Sequence, residues 1–563
     1  MRLGDIDGRH KGTCRRHQTK EERHVHHAPR HLPPQPRCRS GSHRRVHRLV
    51  SVTQGAHADE AVDHDPQTDL WAGGYACEYA DKVSSTVQAD IVVVGAGASG
   101  IAAALEAAQQ GVDVVLLESQ DTAGGNGNYS DCVFTFGSPQ QIAAAEAAGV
   151  TVTADQIIRS EIELYDYMVD GQLWADVLEH SADNTQWLLD AGCLTGETAV
   201  FYGGELGKTP TALMWRDGVG TGGACAMTPM LETLAGLGVK PTLNTRARAL
   251  KKADDGSVCG VYAEGPEGVV EYGAKAVILA GGGWGANPDL CAKLGGYDME
   301  KATIFSAPGC QSDTLKMAVA IGCRQDANAR GYMFGNGVPG VSTSYLMQYH
   351  PALWVNQDGR RFANEDCGET CHDYTGTAVR SQHDVYIVLD DAMIDDMEAQ
   401  LAGTQNADGT LVEGVRAQIE AAVADAENAS VAKADDAASL AEALGIDGDA
   451  LAQTLATYDG YCADGHDAMF GKAAQYLHAL ADGPLYGLRV QQTICLSLGG
   501  INTNRNWQVV DPEKNPISGL YAVGADGQMV YLGLYNLNTS GGHMAVNFES
   551  GRYAVKHAVA HCL

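Results

Sequence analysis

Around residue 90 the hydrophobic positions form unbroken runs instead of alternating with polar ones. Ile91-Val92-Val93-Val94 is apolar and β-branched throughout, as a strand buried on both faces requires. A glycine turn follows. Ile101–Gln110 is then alanine-rich and free of breakers, which predicts a helix, and Val112–Leu117 is a second, mostly apolar run. Strand, turn, helix and strand in about thirty residues make a βαβ unit that opens a parallel sheet. Two later runs end in the same way: Ala276–Ala280 enters Gly281-Gly282-Gly283, and Gly519–Val523 enters Gly524-Ala525-Asp526. Both are expected in the same layer. Between them lies a long region with its own helical patterns, of which 412–457 is alanine- and acid-rich and reads as solvated helix. No internal repeat is found. The pattern predicts an α/β chain with a Rossmann-like nucleotide domain over 89–287 and 484–563. An inserted α+β capping domain over 288–483 interrupts it, and 59–88 forms a weakly patterned lead-in.

Composition narrows the class. Hydrophobic residues are 45% and charged residues 19% of the chain, ordinary for a globular protein, and no apolar run is long enough for an integral membrane segment. Fifteen cysteines are scattered singly, unlike a disulfide scaffold. Residues 1–50 carry thirteen Lys/Arg against four Asp/Glu, a net +9 within a total of −31, so the body carries −40. An acidic body argues against nucleic acid as a partner. The basic head lacks apolar periodicity and is expected to be disordered. Ala56-His57-Ala58, ahead of Asp59-Glu60, has the small-x-small pattern of a signal-peptidase site without the apolar stretch that should precede it. Residues 1–58 therefore read as a disordered basic head or as a mis-framed export signal. An exported or cell-envelope protein is the expectation if the signal is real, and a cytoplasmic one if the tripeptide is chance.

Gly95-Ala96-Gly97-Ala98-Ser99-Gly100 fits G-x-G-x-x-G directly after a strand and at the start of a helix. Such glycines allow a tight turn and close approach of the backbone to a pyrophosphate, and the helix N-terminus supplies oriented N–H groups. Glu118-Ser119 follows the second strand, where a carboxylate can accept from ribose hydroxyls. Gly124-Gly125-Asn126 and the late Gly524-Ala525-Asp526 favour FAD over NAD, because a long flavin dinucleotide needs loops from distant parts of the chain. No second fingerprint of comparable quality supports a nicotinamide.

Taken together, VVVGAGASG, LLESQDTAGGN, TGGACAMTPMLETL with NTRARAL, AVILAGGGWGAN, VNQDGRRFANE, ISGLYAVGAD and the late SGG resemble the fumarate reductase and succinate dehydrogenase flavoprotein superfamily over about 88–560. The best match is its soluble branch of flavocytochrome c fumarate reductases, urocanate reductases and 3-ketosteroid dehydrogenases. The chain is also similar to the cardiac glycoside reductase type of gut anaerobes. The resemblance implies a cap closing over the flavin and hydride transfer between flavin N5 and a substrate C–C bond, as in anaerobic respiration. It adds Gly223-Ala224, Ala247, Ala280-Gly281-Gly282 and Gly541-Gly542 as cofactor contacts, beside Asp526. Covalently flavinylated members place a histidine soon after GGN. Here Asn128-Tyr129-Ser130 stands there, which implies noncovalent FAD.

The stretch Asn364–Asp373, NEDCGETCHD, departs from the family. Fumarate-reducing members carry their proton-donating arginine four residues after the glutamate of NE, where this chain has Glu369. Their substrate-carboxylate arginine precedes the late glycine pair, where Asn538-Thr539-Ser540 stands. Their histidine before the earlier glycine pair is replaced within Cys495-Leu496-Ser497-Leu498. A buried dicarboxylate needs charge-assisted donors, and stranding its charge costs several kcal/mol. The substrate is therefore expected to be an enone, lactone or aromatic acrylate and not fumarate. Tyr332, Tyr531 and Tyr535 are the candidate proton donors, with Glu369 a further one if burial raises its pKa. Any one of the three reads more readily as a half-buried packing residue with a satisfied hydroxyl. Trp215 and Arg216, Thr539 and Leu496 are expected at the substrate, although Trp215-Arg216 reads equally as a structural ion pair. Cys367-x-x-x-Cys371-His372 is one residue too long for the usual haem-attachment motif and lacks the clustering of iron–sulfur ligands, so neither haem, cluster nor metal is expected. The reading is an FAD-dependent alkene reductase fed by an external donor such as a cytochrome or reduced flavoprotein. Its alternatives are a 3-ketosteroid-type dehydrogenase and a catalytically silent flavin electron carrier.

Overall fold

Five strands stand side by side in the order Gln508–Val510, Pro516–Ala522, Ala276–Leu279, Ile91–Val94 and Val114–Leu117. This is a computed structural model; it describes residues 74–563 except 197–208, 216–222, 326–329, 343–345, 372, 404–411, 481–482, 528, 532–534 and 536–538, and only the backbone of 330–336. The last four strands are parallel, with Ile91 opposite both Ala276 and Val114, and Leu520 opposite Val277. The three apolar runs singled out in the sequence thus share one layer, and Ile91–Val94 and Ala276–Leu279 are buried at every position. Their unbroken apolarity follows from cover on both faces, by helices on one and by the strands of a second sheet on the other.

The helix Ala98–Gln109 is buried from Ala98 through Ala107. Its small side chains let the C-terminal helix Gly542–Cys562 cross it closely. At the crossing a Cβ on Gly551 would lie 2.3 Å from the Ser99 carbonyl oxygen. A second sheet, in the order Val83–Gln88, Gly268–Gly273, Val258–Gly265, Arg246–Lys252, flanks the first. The expected lead-in thus ends in a strand, Val83–Gln88. It is solvent-exposed at all but one position, so no buried face marked it in the sequence.

The cap has its own antiparallel sheet, Leu353–Asn356, Val385–Asp390, Leu485–Arg489, Val431–Ala434, and its own core around Trp354, Ile387, Met393 and Tyr486. In the segment read as solvated helix, Asp436 and Asp447 cap helices Ala437–Leu444 and Gly448–Asp464 by accepting from Ser439 N and Ala450 N. Both expected cap boundaries shift. Leu290, Cys291, Leu315 and Met317 pack in the nucleotide-domain core with Leu279, so chain beyond 288 still belongs to that domain. Leu485–Arg489 pairs with Val385–Asp390, so the cap runs past 483. Val490 alone then separates this cap strand from Gln491–Leu498, which pairs with Ala302–Ile304 and Arg330–Gly337. No described helix is long and apolar enough to cross a membrane.

Candidate active site

A long cleft opens at the C-terminal ends of the parallel strands, with a volume of about 340 Å³, within the roughly 300–1,000 Å³ of an ordinary small-molecule pocket. Gly95, Gly97, Ala98, Ser99, Glu118 and Ser119 line one end. The glycines divide their work. Gly95 sits at φ 103°, and a Cβ there would lie 2.3 Å from Ala280 O; one on Gly100 would lie 1.8 Å from Gly95 O, so only glycine lets the helix seat on the turn. Beside Gly97 the nearest atom to such a Cβ is Gly124 O at 3.9 Å, which leaves space for a ligand. Gly97 caps the helix without a side-chain hydrogen bond, so its first amides remain available to an anion. Glu118 accepts from Ala96 N (2.8 Å) and Gln120 N (2.8 Å), which fixes its carboxylate at the cleft wall with acceptor capacity to spare.

Gly125, Asn126, Ala247, Ala280, Gly281, Gly282 and Leu496 also line the cleft. Asn126 Oδ1 accepts from Ala307 N at 2.6 Å and so ties the two loops of the cleft wall together. The remaining expected contacts, Ala96, Gly100, Gly124, Gly223, Ala224, Asp526, Gly541 and Gly542, stand behind the wall. A Cβ on Gly223 would lie 1.7 Å from Gly127 O, so Gly223 and Ala224 back the turn after Gly125. Asp526, 1% exposed, accepts from Gly281 N (2.6 Å) and Gly283 N (2.8 Å). It clamps one strand end to another, and burial pushes its pKa up to about 6 against the opposing pull of those amides.

The cleft wall near Ser99 carries two residues that the sequence reading missed. His543 and Asn547 line it from the first turns of the C-terminal helix. Asn547 Nδ2 meets His543 Nδ1 at 3.1 Å, whereas His543 Nε2 and Asn547 Oδ1 are buried without a partner within the protein. Burial holds His543 down at about 4, so it is neutral near pH 7. Orphaned polar atoms on His543 and Asn547, together with the open amides and the fixed carboxylate of the same cleft, fit FAD, which carries polar groups along its length. His543 had a legible signal, since it directly follows Gly541-Gly542.

Behind His543 lies a packed aromatic cluster, in which Tyr165, Trp174 and Tyr531 are buried and Tyr535 is half-buried. Tyr531 meets Tyr535 at 5.3 Å, Trp174 at 5.4 Å and Tyr165 at 6.1 Å between ring centroids, all edge-on, and Tyr535 meets His543 at 5.9 Å. Tyr531 Oη and Thr539 Oγ1 share a 3.2 Å hydrogen bond. The Tyr535 hydroxyl accepts from the amides of His543 and Gly541 at the helix N-terminus. Burial raises both tyrosine pKa values, and the buried carboxyl of Glu161 raises them further. Cys371 reaches toward Tyr535 O at 3.9 Å from the cap. The structure thus brings Tyr531, Tyr535 and Thr539 together beside the cleft and adds Tyr165, Trp174 and Glu161. Glu161 also had a signal: with Ile157 and Tyr165 it makes an i, i+4, i+8 stripe of buried residues, where a carboxyl is unusual.

Other expectations fail or fall elsewhere. The buried acid foreseen at Glu369 is absent: its side chain is 55% exposed, 3.1 Å from His350 Nε2, and accepts from Tyr476 Oη at 3.0 Å. Trp215 is a core residue instead of a substrate contact. It is 2% exposed, packs on Phe548 and donates from Nε1 to Ser130 O at 2.8 Å. Arg216 and His372 lie outside the described residues. Tyr332 is paired with Leu496 across an antiparallel ladder, which puts its backbone beside the cleft wall. Burial pushes the thiol of Cys367 up to about 12 and that of Cys371 well above its usual range, so both stay protonated and are poor ligands. Among the described residues no group of three His, Cys, Asp or Glu stands close enough to hold a metal.

A dinucleotide cleft with a capping domain inserted into its sheet domain defines the class, an FAD-dependent flavoprotein. The family model described as FAD binding domain matches residues 90–541, and the chain belongs to that family, within the fumarate reductase and succinate dehydrogenase flavoprotein superfamily. It is 32% identical over 485 residues to a vinyl phenol reductase of Lactiplantibacillus plantarum, covering 83% of this chain and 96% of the relative. It is 28% identical to a urocanate reductase of Eggerthella lenta, covering 78% and 70%. A flavocytochrome c3 fumarate reductase solved in an open conformation superposes with a TM-score of 0.64 at 25% identity, over 87% of this chain and 82% of that one. The chain is therefore an FAD-dependent oxidoreductase of CH–CH groups, in the class that reduces carbon–carbon double bonds.

Proposed function

We propose that this protein reduces the conjugated double bond of an uncharged or singly charged aromatic alkene, such as a vinyl phenol or an aromatic acrylate, with noncovalently held FAD. The observation that carries the reading is the aromatic cluster behind His543, which reaches the cleft side at the half-buried Tyr535. Its walls are aromatic, its polar groups are the hydroxyls of Tyr531, Tyr535 and Thr539, and no Lys or Arg among the described residues perturbs Tyr531, Tyr535 or His543. A dicarboxylate placed there would lose its hydration without gaining charged partners, at a cost of several kcal/mol. A flat aromatic ring instead replaces water with edge-on contacts of about 0.5–1.5 kcal/mol each. The relative named for a vinyl phenol supports the same substrate class.

Bound FAD, reduced by an external donor such as a cytochrome or reduced flavoprotein, supplies the hydride. The protein supplies orientation and the proton. His543 and Asn547 would present polar atoms to the cofactor, and Trp174 and Tyr165 pack edge-on against Tyr531 behind them. Tyr535 is suited to give its hydroxyl proton to the substrate carbon. The amides of Gly541 and His543 already point at its oxygen and stabilise the phenolate left behind, as oxyanion-hole donors do. An export signal at Ala56-His57-Ala58 would place this chemistry in the cell envelope.

The test is anaerobic reoxidation of the dye-reduced, full-length flavoprotein by single alkenes. Fast reoxidation by vinyl phenols or aromatic acrylates, with fumarate inert, is the expected outcome. Reoxidation by fumarate at a comparable rate would sink the reading. Silence from every alkene, with steroid-like ketones reducing the oxidised flavin, would reverse its direction.

A further inference from the structure

The cofactor cleft carries charge of the same sign as the pyrophosphate it must hold. Glu118, Asp121 and Asp313 line it against Arg246 alone, and Arg246 is already paired with Asp313 at 3.2 Å. The N-terminus of Ala98–Gln109 offsets roughly half a charge. The remaining cleft-lining group that can become a cation is His543, 8% exposed. It stands beside the turn where an anion is received. A Cβ on Gly524 would crowd both Ser99 Oγ, in the first turn of that helix, and Asn547 Oδ1, and Asn547 is bonded to His543. Among the described residues no charge acts on His543. The titratable side chains around it are Tyr531 and Tyr535 of the late loop and Cys132 of the strand Cys132–Phe134, which packs on the same helix. Burial keeps all three protonated and neutral.

The hydrogen bonding of the pair is incomplete. Asn547 Nδ2 donates to His543 Nδ1 at 3.1 Å, so the neutral ring carries its proton on Nε2, and neither Nε2 nor Asn547 Oδ1 has a partner among the described residues. A protonated ring uses both. With the Asn547 amide turned over, Nδ1–H donates to Oδ1, and Nε2–H is left to donate to an anionic ligand in the cleft. One proton and one anion thus satisfy two buried polar atoms that the FAD-free protein leaves unpaired.

We propose that His543 is the proton-linked counter-ion of the cofactor: when FAD binds, the ring takes a proton from solvent at Nδ1, hands that N–H to Asn547 Oδ1, and holds the anionic part of the cofactor through Nε2–H. The step forms one N–H bond and moves no electrons. In the FAD-free protein burial holds this group at about 4, and an anion beside it raises that value. FAD affinity is therefore greatest below about pH 4 and falls as pH rises through the raised value. The inference concerns cofactor binding alone, so the outcome of the alkene screen leaves it standing.

The test is calorimetric titration of FAD into the FAD-free, full-length protein at about pH 6.5, in buffers that differ in ionisation enthalpy, which counts the protons taken up. Wild type should take up close to one proton per FAD, and its affinity should fall by up to about tenfold per pH unit above that. His543→Gln keeps a side-chain N–H donor and should bind FAD with no proton uptake and a flat pH profile. Asp526→Asn should retain the uptake, which separates His543 from the other buried group that titrates behind the wall. Wild type taking up no proton overturns the proposal. So does uptake that persists in His543→Gln or vanishes in Asp526→Asn. Should His543→Gln not fold, Asn547→Leu removes the acceptor for Nδ1–H and serves in its place: reduced uptake supports the proposal and unchanged uptake overturns it.

Discussion

In the cofactor cleft the working parts are main chain: the amides at the start of Ala98–Gln109, glycines with no room for a Cβ, and carboxylates that clamp turns through N–H bonds. In the cluster beyond His543 they are side chains, brought from residues 161, 165, 174, 371, 531, 535 and 539. The difference decides what each site tolerates. A main-chain site fails when a side chain appears where none fits. A side-chain site fails one chemical group at a time, with the fold intact.

The largest effect should come from the main-chain site. Alanine at Gly100 puts a Cβ 1.8 Å from the Gly95 carbonyl oxygen, backbone against backbone, so the helix must back away from the turn. Gly100→Ala should weaken FAD retention by about 100-fold or more, close to 3 kcal/mol, read as flavin content after gel filtration. A variant that keeps its flavin would break the contrast.

Asp526 comes next. Asn in its place offers one acceptor and turns an NH₂ toward an amide N–H, so Asp526→Asn should cost roughly 1.5–3 kcal/mol, or about 10- to 100-fold in FAD affinity. It also has a pH signature. The folded pKa of about 6 lies above the unfolded value of 3.8, so the contribution of this group is full below about pH 3.8 and is lost as pH rises through about 6. Denaturant unfolding of the FAD-free protein should show wild type losing on the order of 3 kcal/mol across that window relative to the Asn variant.

The side-chain site should respond differently. Tyr535→Phe should keep its full flavin complement and its dye reduction, yet lose roughly 10²-fold in alkene-driven reoxidation by stopped flow. Tyr531→Phe should lose less, because its hydroxyl is engaged with Thr539 and stands one ring further from the cleft-lining His543. Equal losses in flavin content and rate would mean that the two sites are not separable.

The same contrast explains what could be read in the sequence. Gly95, Gly97, Gly100 and the Gly281–Gly283 run act on neighbours within a turn or at adjacent strand ends, so local pattern revealed both the layer and its ligand. The strand Val83–Gln88 is exposed nearly throughout and left no buried face to read. Trp174, Tyr165 and Tyr531 acquire meaning only from edge-to-edge contacts between segments more than 300 residues apart, which no spacing encodes. Trp215 shows the converse: an aromatic beside a cofactor motif whose indole N–H is satisfied by Ser130 and whose ring belongs to the core. Tyrosines could be nominated for the cluster but not ranked.

The smallest effect is expected at NEDCGETCHD, the segment that looked richest in chemistry. Its glutamates serve different ends. Glu365 is 0% exposed and held by Arg361 at 2.6 and 2.8 Å, with Asp467 on the guanidinium's other side, so that carboxylate anchors the loop to the cap core. Glu369, four residues on, is half exposed between the buried His350 and Tyr476, and contacts of so exposed a carboxyl are worth about 0–1 kcal/mol. Glu369→Gln should therefore leave alkene-driven reoxidation within about twofold of wild type and stability within about 1 kcal/mol, whereas a proton donor would lose about 10²-fold. A large loss of rate with flavin content intact would mean that the cap closes far enough in turnover to bury this carboxyl, and the cluster would then have to be redrawn to include it.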